Sequence, residues 1–274
     1  MRNRIAIIAA PNGARKQKSD HPALPVTVDE IVNDVLDCRD AGAAMVHVHA
    51  RDKNGNHSLA VDDNQVLFNE LKDRVGDSVI IQLTTEAIGI YSPEQQMELI
   101  REICPPAASF ALKELVPDEK YLVKAEQFFH WVADQNILAQ YILYDREDVD
   151  RYLSLCRDGV LPVRGRHALL VLGRYQKDQF SEPSDLIPFL SRELLDNERW
   201  GVCAFGPKEH QCLTAAMLLG GDIRVGFENN HLDKFGNPAK NNATQITNLS
   251  EQARMLNIEL DDAISYQNYF RTGG

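Results

Sequence analysis

TVDEIVNDVLDCRDAGAAMVHVH, residues 27–49, holds one complete step from helix to strand and sets the reading of the whole chain. Thr27 and Glu30 form a capping box, the hydroxyl and the carboxylate each satisfying an orphan backbone N–H at the start of a helix predicted over Val28 to Ala41. Gly42 suits the position just past the helix end, and the apolar run from Met45 to His49 has the length of a buried strand. The same alternation recurs outward from this stretch. Strands are predicted at Ile5 to Ala10, Met45 to His49, Val79 to Thr84, Ala108 to Leu112, Ala139 to Tyr144, Ala168 to Leu172, Gly201 to Phe205 and Ile223 to Phe227. Helices follow them, among them Pro93 to Cys104 behind the cap Ser92-Pro93-Glu94, Arg146 to Arg157, and Lys208 to Leu219 ending in Gly220-Gly221. A further helix start is predicted at Ser184-Asp185.

Eight βα units in 274 residues predict an α/β fold, a (β/α)8 TIM barrel forming a single domain over 1–274. The competing open, doubly wound sheet would need a glycine-rich phosphate loop after the first strand, and the turn there reads Pro11-Asn12-Gly13-Ala14. In a barrel, chemistry belongs at the C-terminal ends of the strands.

Composition narrows the function. With 29 Lys and Arg against 40 Asp and Glu, the net charge of -11 leaves no broad phosphate-neutralising face, so no nucleic-acid partner is expected. Five cysteines without a Cys-x-x-Cys pair read as reduced core thiols of a cytoplasmic protein. Arg2 and Arg4 before Ile5 to Ala10 imitate a signal peptide, but that apolar run is too short, and no run approaches the ~20 residues of a membrane span.

The sharpest chemical signal is Val46-His47-Val48-His49-Ala50-Arg51-Asp52. Side chains alternate along a strand, so His47 and His49 share one side near its C-terminal end, as two metal-ligating imidazoles or as a pair of hydrogen-bonded interior histidines. Arg224, Gly226 and Glu228 share a side of the last strand, and charges facing a barrel interior need partners. Two His and one carboxylate with an open position is the pattern of catalytic zinc, or less often of non-haem iron; a Glu228–Arg224 pair without metal is the alternative. On the third strand Gln82, Thr84 and Glu86 should look into the upper barrel, where Thr84 could orient a substrate and Glu86 move a proton, or both could simply finish the strand with hydrogen bonds. His130 reads as an outer-helix residue, His21 and His57 as residues of polar loops, and His231 as near enough to Glu228 to enter the site. Arg15, just beyond Gly13, is a solvated loop residue or an anion clamp.

These residues resemble the β-keto acid cleavage enzymes. The resemblance runs through Ala9-Ala10-Pro11-Asn12-Gly13-Ala14, Ala41 to Asp52, Ile81-Gln82-Leu83-Thr84-Thr85, Leu172-Gly173 and Gly220-Gly221-Asp222-Ile223-Arg224-Val225-Gly226-Phe227-Glu228, in the same order over nearly the whole chain. It implies a zinc-dependent barrel, one Zn2+ per subunit, usually a homotetramer, that reacts a small β-keto acid with acetyl-CoA to give acetoacetate and a new acyl-CoA. It implies His47, His49 and Glu228 as metal ligands, Arg224 and Thr84 as catalytic, and Asn12, Arg15 and Thr85 as substrate-binding.

The chain departs from the family pattern at several points. The aspartate expected after the metal-binding glutamate is Asn229, which cannot accept a proton as a base does. The fifth-strand Pro-Glu-x-Glu is Ala139-Gln140-Tyr141-Ile142, the Gly-Gly after the third-strand hydroxyls is Glu86-Ala87, the fourth-strand Gly-Ser/Thr is Lys113-Glu114, and the glycines after strand six are Arg174-Tyr175-Gln176-Lys177. Two readings follow: an acyltransferase with altered catalytic residues, in which Glu86 and Glu114 replace the lost carboxylates, or a relative that is a metal-dependent hydrolase or a non-catalytic binder. The substitution Asn229→Asp is expected to raise turnover if the missing base is limiting. Arg15 stands where aminohexanoate-cleaving members carry a glutamate, so the substrate is expected to be neutral or doubly acidic rather than an amine.

Overall fold

A computed structural model describes residues 4–175 and 180–272. Eight parallel strands close a barrel in chain order: β2 (Ile7–Ala9), β3 (Met45–Val48), β4 (Ile80–Leu83), β5 (Ala107–Ala111), β6 (Leu138–Leu143), β7 (Arg166–Leu172), β8 (Trp200–Ala204) and β9 (Asp222–Val225). Pairing of Ile7, Ile8 and Ala9 with Ile223, Arg224 and Val225 completes the ring. Helices α1 (Val28–Asp40), α2 (Val61–Val75), α3 (Pro93–Ile103), α4 (Leu112–Leu115), α5 (Leu122–Asp134), α6 (Arg146–Arg157), α7 (Arg192–Asn197), α8 (Glu209–Leu218) and α9 (Asn242–Met255) lie in the connections and after the last barrel strand. Before the barrel, β1 (Arg4–Ile5) pairs with β10 (Glu259–Leu260), and α10 (Ala263–Thr272) follows. Among the described residues no helix is long and apolar enough to cross a membrane.

The apolar runs are strands because both faces are covered, one by the helices and one by the barrel interior. Val46, Val48, Ile81 and Leu83 face the helix layer, where they join Ile31, Val35, Leu67 and Ile100 in the main core. Alternate positions point inward. At the lower end Ala6, Ile8, Met45, Ile80, Ala107 and Leu138 fill the interior, and Tyr266 and Phe270 of α10 plug it. Two positions further along the same strands the interior turns polar, with His47, Gln82, Ser109 and Arg224 all buried.

Two expectations require correction. The predicted first strand, Ile5 to Ala10, is split: the Ala6 N–H donates to the Asp222 carboxylate at 2.7 Å, so Ile5 pairs with β10 while Ile7 to Ala9 enter the barrel. The helix start assigned to Ser184-Asp185 lies earlier, because Asp185 accepts from the Glu182 N–H at 2.8 Å and a 3-10 turn runs Pro183–Phe189; α7 then starts behind Ser191, which accepts from the Leu194 N–H. Gln176 and Lys177, and Arg2 at the start, lie outside the described residues.

Candidate metal centre and cleft

His47 and His49 stand at the end of β3 and direct their Nε2 atoms at each other, 3.0 Å apart. Glu228 Oε2 lies 3.5 Å from the first and 3.7 Å from the second. A tetrahedral cation with bonds of ~2.0–2.1 Å holds its ligand atoms roughly 3.3 Å apart, so the three atoms already span the required triangle. Glu228 is not on the strand itself: β9 ends at Val225, and a turn from Gly226 brings the carboxylate back over the barrel. Two glycines permit that approach. A Cβ on Gly13 (φ +66°) would sit 2.6 Å from Glu228 Cγ, and one on Gly226 (φ +146°) 2.4 Å from the Ala10 carbonyl.

The charge states suit a cation. Burial pushes the His47 imidazole down to about 4 and His49 well below its ordinary value, so both are neutral ligands near pH 7. His47 Nδ1 donates to Gln82 Oε1 at 2.8 Å, which leaves Nε2 bare. Burial opposes ionisation of Glu228, but the Arg224 guanidinium beside it outweighs burial and holds the carboxyl well below the usual range. Glu228 Oε2 is buried without a hydrogen-bond partner among the described residues, as is His49 Nδ1, 4.0 Å from Glu86. An orphaned carboxylate oxygen beside the bare His47 nitrogen costs free energy unless something electropositive joins it.

Arg224 comes up beside the triad. Its Nη2 donates to Glu228 Oε1 at 3.2 Å, while Nε and Nη1 are buried without partners among the described residues. The cleft above is open to solvent and spans about 400 Å³. One wall is polar, made by His47, Thr84, Glu86, Glu114, Arg224 and Glu228, and the other is apolar, made by Ala111, Ile142, Val171 and Phe205.

The residues singled out in the sequence fall into three groups. His47, Glu228, Arg224, Thr84, Glu86 and Glu114 line the cleft; His49 completes the triad beneath it. Thr84 Oγ1 accepts from the Glu86 N–H at 3.0 Å. Glu86 is held by Arg174 at 2.8 Å and raised by burial, with Arg174 opposing. Glu114 Oε2 is occupied by the Ala87 N–H at 3.0 Å and by Gln96 at 3.1 Å. Asn12 and Thr85 act on backbone: Asn12 exchanges two hydrogen bonds with the His49 peptide, at 2.9 and 3.1 Å, and Thr85 donates to the Ser109 carbonyl. Arg15 is exposed and outside the cleft lining, and Asn229 turns away toward Glu209.

Sequence reasoning gave no site role to His57, read as a loop residue, to Arg174, marked only as a departure from expected glycines, or to Ser109 and Glu209. His57 is buried with its ring 5.1 Å from His49, because Asp52-Lys53-Asn54-Gly55-Asn56 turns the chain back and bridges Arg51 to His57. That turn is legible as an Asx turn closed by glycine, since Asp52 accepts from the Asn54 and Asn56 N–H groups. Glu209 carries no local signal, and the sign of Arg174 is its place where the resemblance leads one to expect glycine.

The beta-keto acid cleavage enzyme family model matches residues 4–264. The chain is similar to a 3-keto-5-aminohexanoate cleavage enzyme of Fusobacterium nucleatum, at 26% identity over 95% of each chain. Over 39% of this chain and 34% of the other it is 29% identical to a 3,5-dioxohexanoate:acetyl-CoA acetone transferase of Paraburkholderia graminis. The apo structure of ObcA shares the fold, with a TM-score of 0.70 at 19% identity, covering 91% of this chain, which spans 66% of that one.

Proposed function

Because the chain belongs to the β-keto acid cleavage enzyme family, we propose that it is a zinc-dependent transferase that takes a β-keto acid and acetyl-CoA to acetoacetate and a new acyl-CoA. The observation that carries this reading is the His47, His49 and Glu228 triad, both imidazoles buried, next to an arginine with two donor nitrogens that have no partner among the described residues. The name of the Paraburkholderia graminis relative supports acetyl-CoA as co-substrate.

In this reading the carbon between the ketone and the carboxylate loses a proton and attacks the acetyl thioester. The carbon–carbon bond forms as CoA thiolate leaves; the thiolate then adds to the original ketone, and carbon–carbon cleavage releases the new thioester and the enolate of acetoacetate, which takes back the proton first removed. Zinc bound to His47, His49 and Glu228 would polarise the ketone and carboxylate and make the carbon between them more acidic. The chain's residues supply the rest. Arg224 Nε and Nη1 face the developing negative charge in a dry setting, where such donors count most. Glu86 accepts the proton: its carboxylate lines the cleft, and Arg174 favours the ionised form against the burial that disfavours it. The apolar wall of Ile142, Val171 and Phe205 takes the group beyond the ketone and excludes water.

The test is a panel of β-keto acids with zinc-loaded protein and acetyl-CoA, followed by mass spectrometry of the CoA esters. Equal amounts of acetoacetate and a new acyl-CoA are expected. Glu86→Gln should cost ~100-fold or more in turnover, the range of general-base catalysis, and Glu114→Gln much less. Formation of free acid with acetyl-CoA unconsumed would identify a hydrolase instead.

A further inference from the structure

We propose that Glu209 and Asn229 form a matched carboxylate–amide pair that positions Glu228 in the metal site. The inference rests on the metal reading above and accounts for the most conspicuous departure from the family pattern, the amide at 229.

Glu228 makes few hydrogen bonds through its own side chain. Its carboxylate receives one hydrogen bond from Arg224 at 3.2 Å, and Oε2 has none among the described residues, so its place depends on the turn beneath it. That turn is folded on Gly226, whose carbonyl accepts from the Asn229 N–H at 2.8 Å and the Asn230 N–H at 3.1 Å. Glu209 holds it from the other side. As the first residue of α8 it is only 2% exposed, and its two oxygens collect three donors of the turn. Oε1 accepts from the Gly226 N–H at 3.3 Å and from Asn229 Nδ2 at 3.2 Å, and Oε2 accepts from Asn230 Nδ2 at 3.3 Å. A carboxylate at the start of a helix is also favoured by the helix dipole. Burial nevertheless pushes this carboxyl up to about 8, with the three donors and Lys16 opposing, so the pocket disfavours even one negative charge.

The orientation of the Asn229 amide is fixed by a second bond. Its Nδ2 donates to the Arg224 carbonyl at 3.1 Å as well as to Glu209, so the group there must be a donor. Aspartate would set an acceptor oxygen against two acceptors, one of them another buried acid. Asn229 is therefore the complement of Glu209 rather than only a lost base, and acids at 209 and 229 exclude each other. The consequence reverses an expectation from the sequence: Asn229→Asp by itself harms the site. Both residues act through the turn on Glu228 and are positioning residues.

The measurement is the zinc dissociation constant of the full-length protein, by competition with a chromophoric chelator, for wild type, Asn229→Asp, Glu209→Gln and the double variant. Outer residues that orient a metal ligand are worth about 10–100-fold in affinity, so each single change is expected to weaken zinc at least tenfold. The double variant exchanges the two groups, so that an amide at position 209 can donate to a carboxylate at position 229, and it should bind tighter than Asn229→Asp alone. Glu209→Asp keeps the carboxyl group but draws it back from three donors, and serves if Asn229→Asp does not fold; about a tenfold loss is expected. Melting of the zinc-free proteins provides the structural control. Lower melting temperatures with unchanged zinc affinity would reduce the pair to a packing role and overturn the proposal, as would losses that simply multiply in the double variant. Absence of zinc binding by the wild type would refute the metal reading instead.

Discussion

Asp222→Asn tests how the floor of the barrel supports the strand that carries Arg224 and leads to Glu228. Asp222 begins β9 and is 1% exposed. Oδ1 accepts from the Ala6 N–H at 2.7 Å and Arg199 Nη2 at 2.9 Å, and Oδ2 accepts from Arg199 Nε at 2.8 Å, His167 Nε2 at 3.1 Å and the Tyr266 hydroxyl at 3.1 Å. An amide presents its NH2 to one of these two sets of donors, whichever way it is turned. Removing one partner of a buried ion pair costs about 3–5 kcal/mol; Arg199 keeps Asp261 at 2.6 Å, which places the loss near the lower end, about 3 kcal/mol. At ~2–4 °C per kcal/mol for a domain of this order, the melting temperature should fall by roughly 6–12 °C at pH 7. Burial disfavours the Asp222 charge, but Arg199 and His167 outweigh it and hold the carboxyl below its ordinary value. Its contribution is thus fully present above the unfolded value of about 3.9 and is lost as pH falls toward the folded one. Calorimetry between pH 7 and pH 3 should show the wild-type and variant curves converging in acid. A gap below about 2 °C at neutral pH, or one that persists unchanged into acid, would refute the reasoning.

Two further outcomes are expected. The purified protein should hold about one divalent ion per chain by elemental analysis, zinc in the first place, and lose it in His47→Ala/His49→Ala; full occupancy of that double variant would end the ligand assignment. Because Arg15 is exposed while Arg174 lies in the cleft, Arg15→Glu should alter the preference between a dicarboxylic and an amino β-keto acid by no more than about fivefold, the reach of an exposed charge. Arg174→Gln should shift it further toward the amine, and an inverted preference in Arg15→Glu would return that loop to the pocket.

The order of strands and helices was legible because each element carries a local reason. The Thr27 and Ser92 capping boxes, the proline at 93 and the glycine at 42 act within one turn of the chain, and α6 runs Arg146–Arg157 as its pattern predicts. The His47-x-His49 pair was legible for the same reason, since strand alternation fixes which side both occupy. Folding decided the rest. Glu86 meets Arg174 across 88 positions, and Glu209 meets Asn229 across 20, so no local pattern can announce either pair. Asn229 illustrates the difference: the sequence places an amide next to Glu228, but only the packing of α8 against the turn after β9 shows which carboxyl group that amide serves. Local propensity acts over a few residues, whereas the partners of a buried polar group are chosen by the path of the whole chain, which must satisfy that group once water is gone.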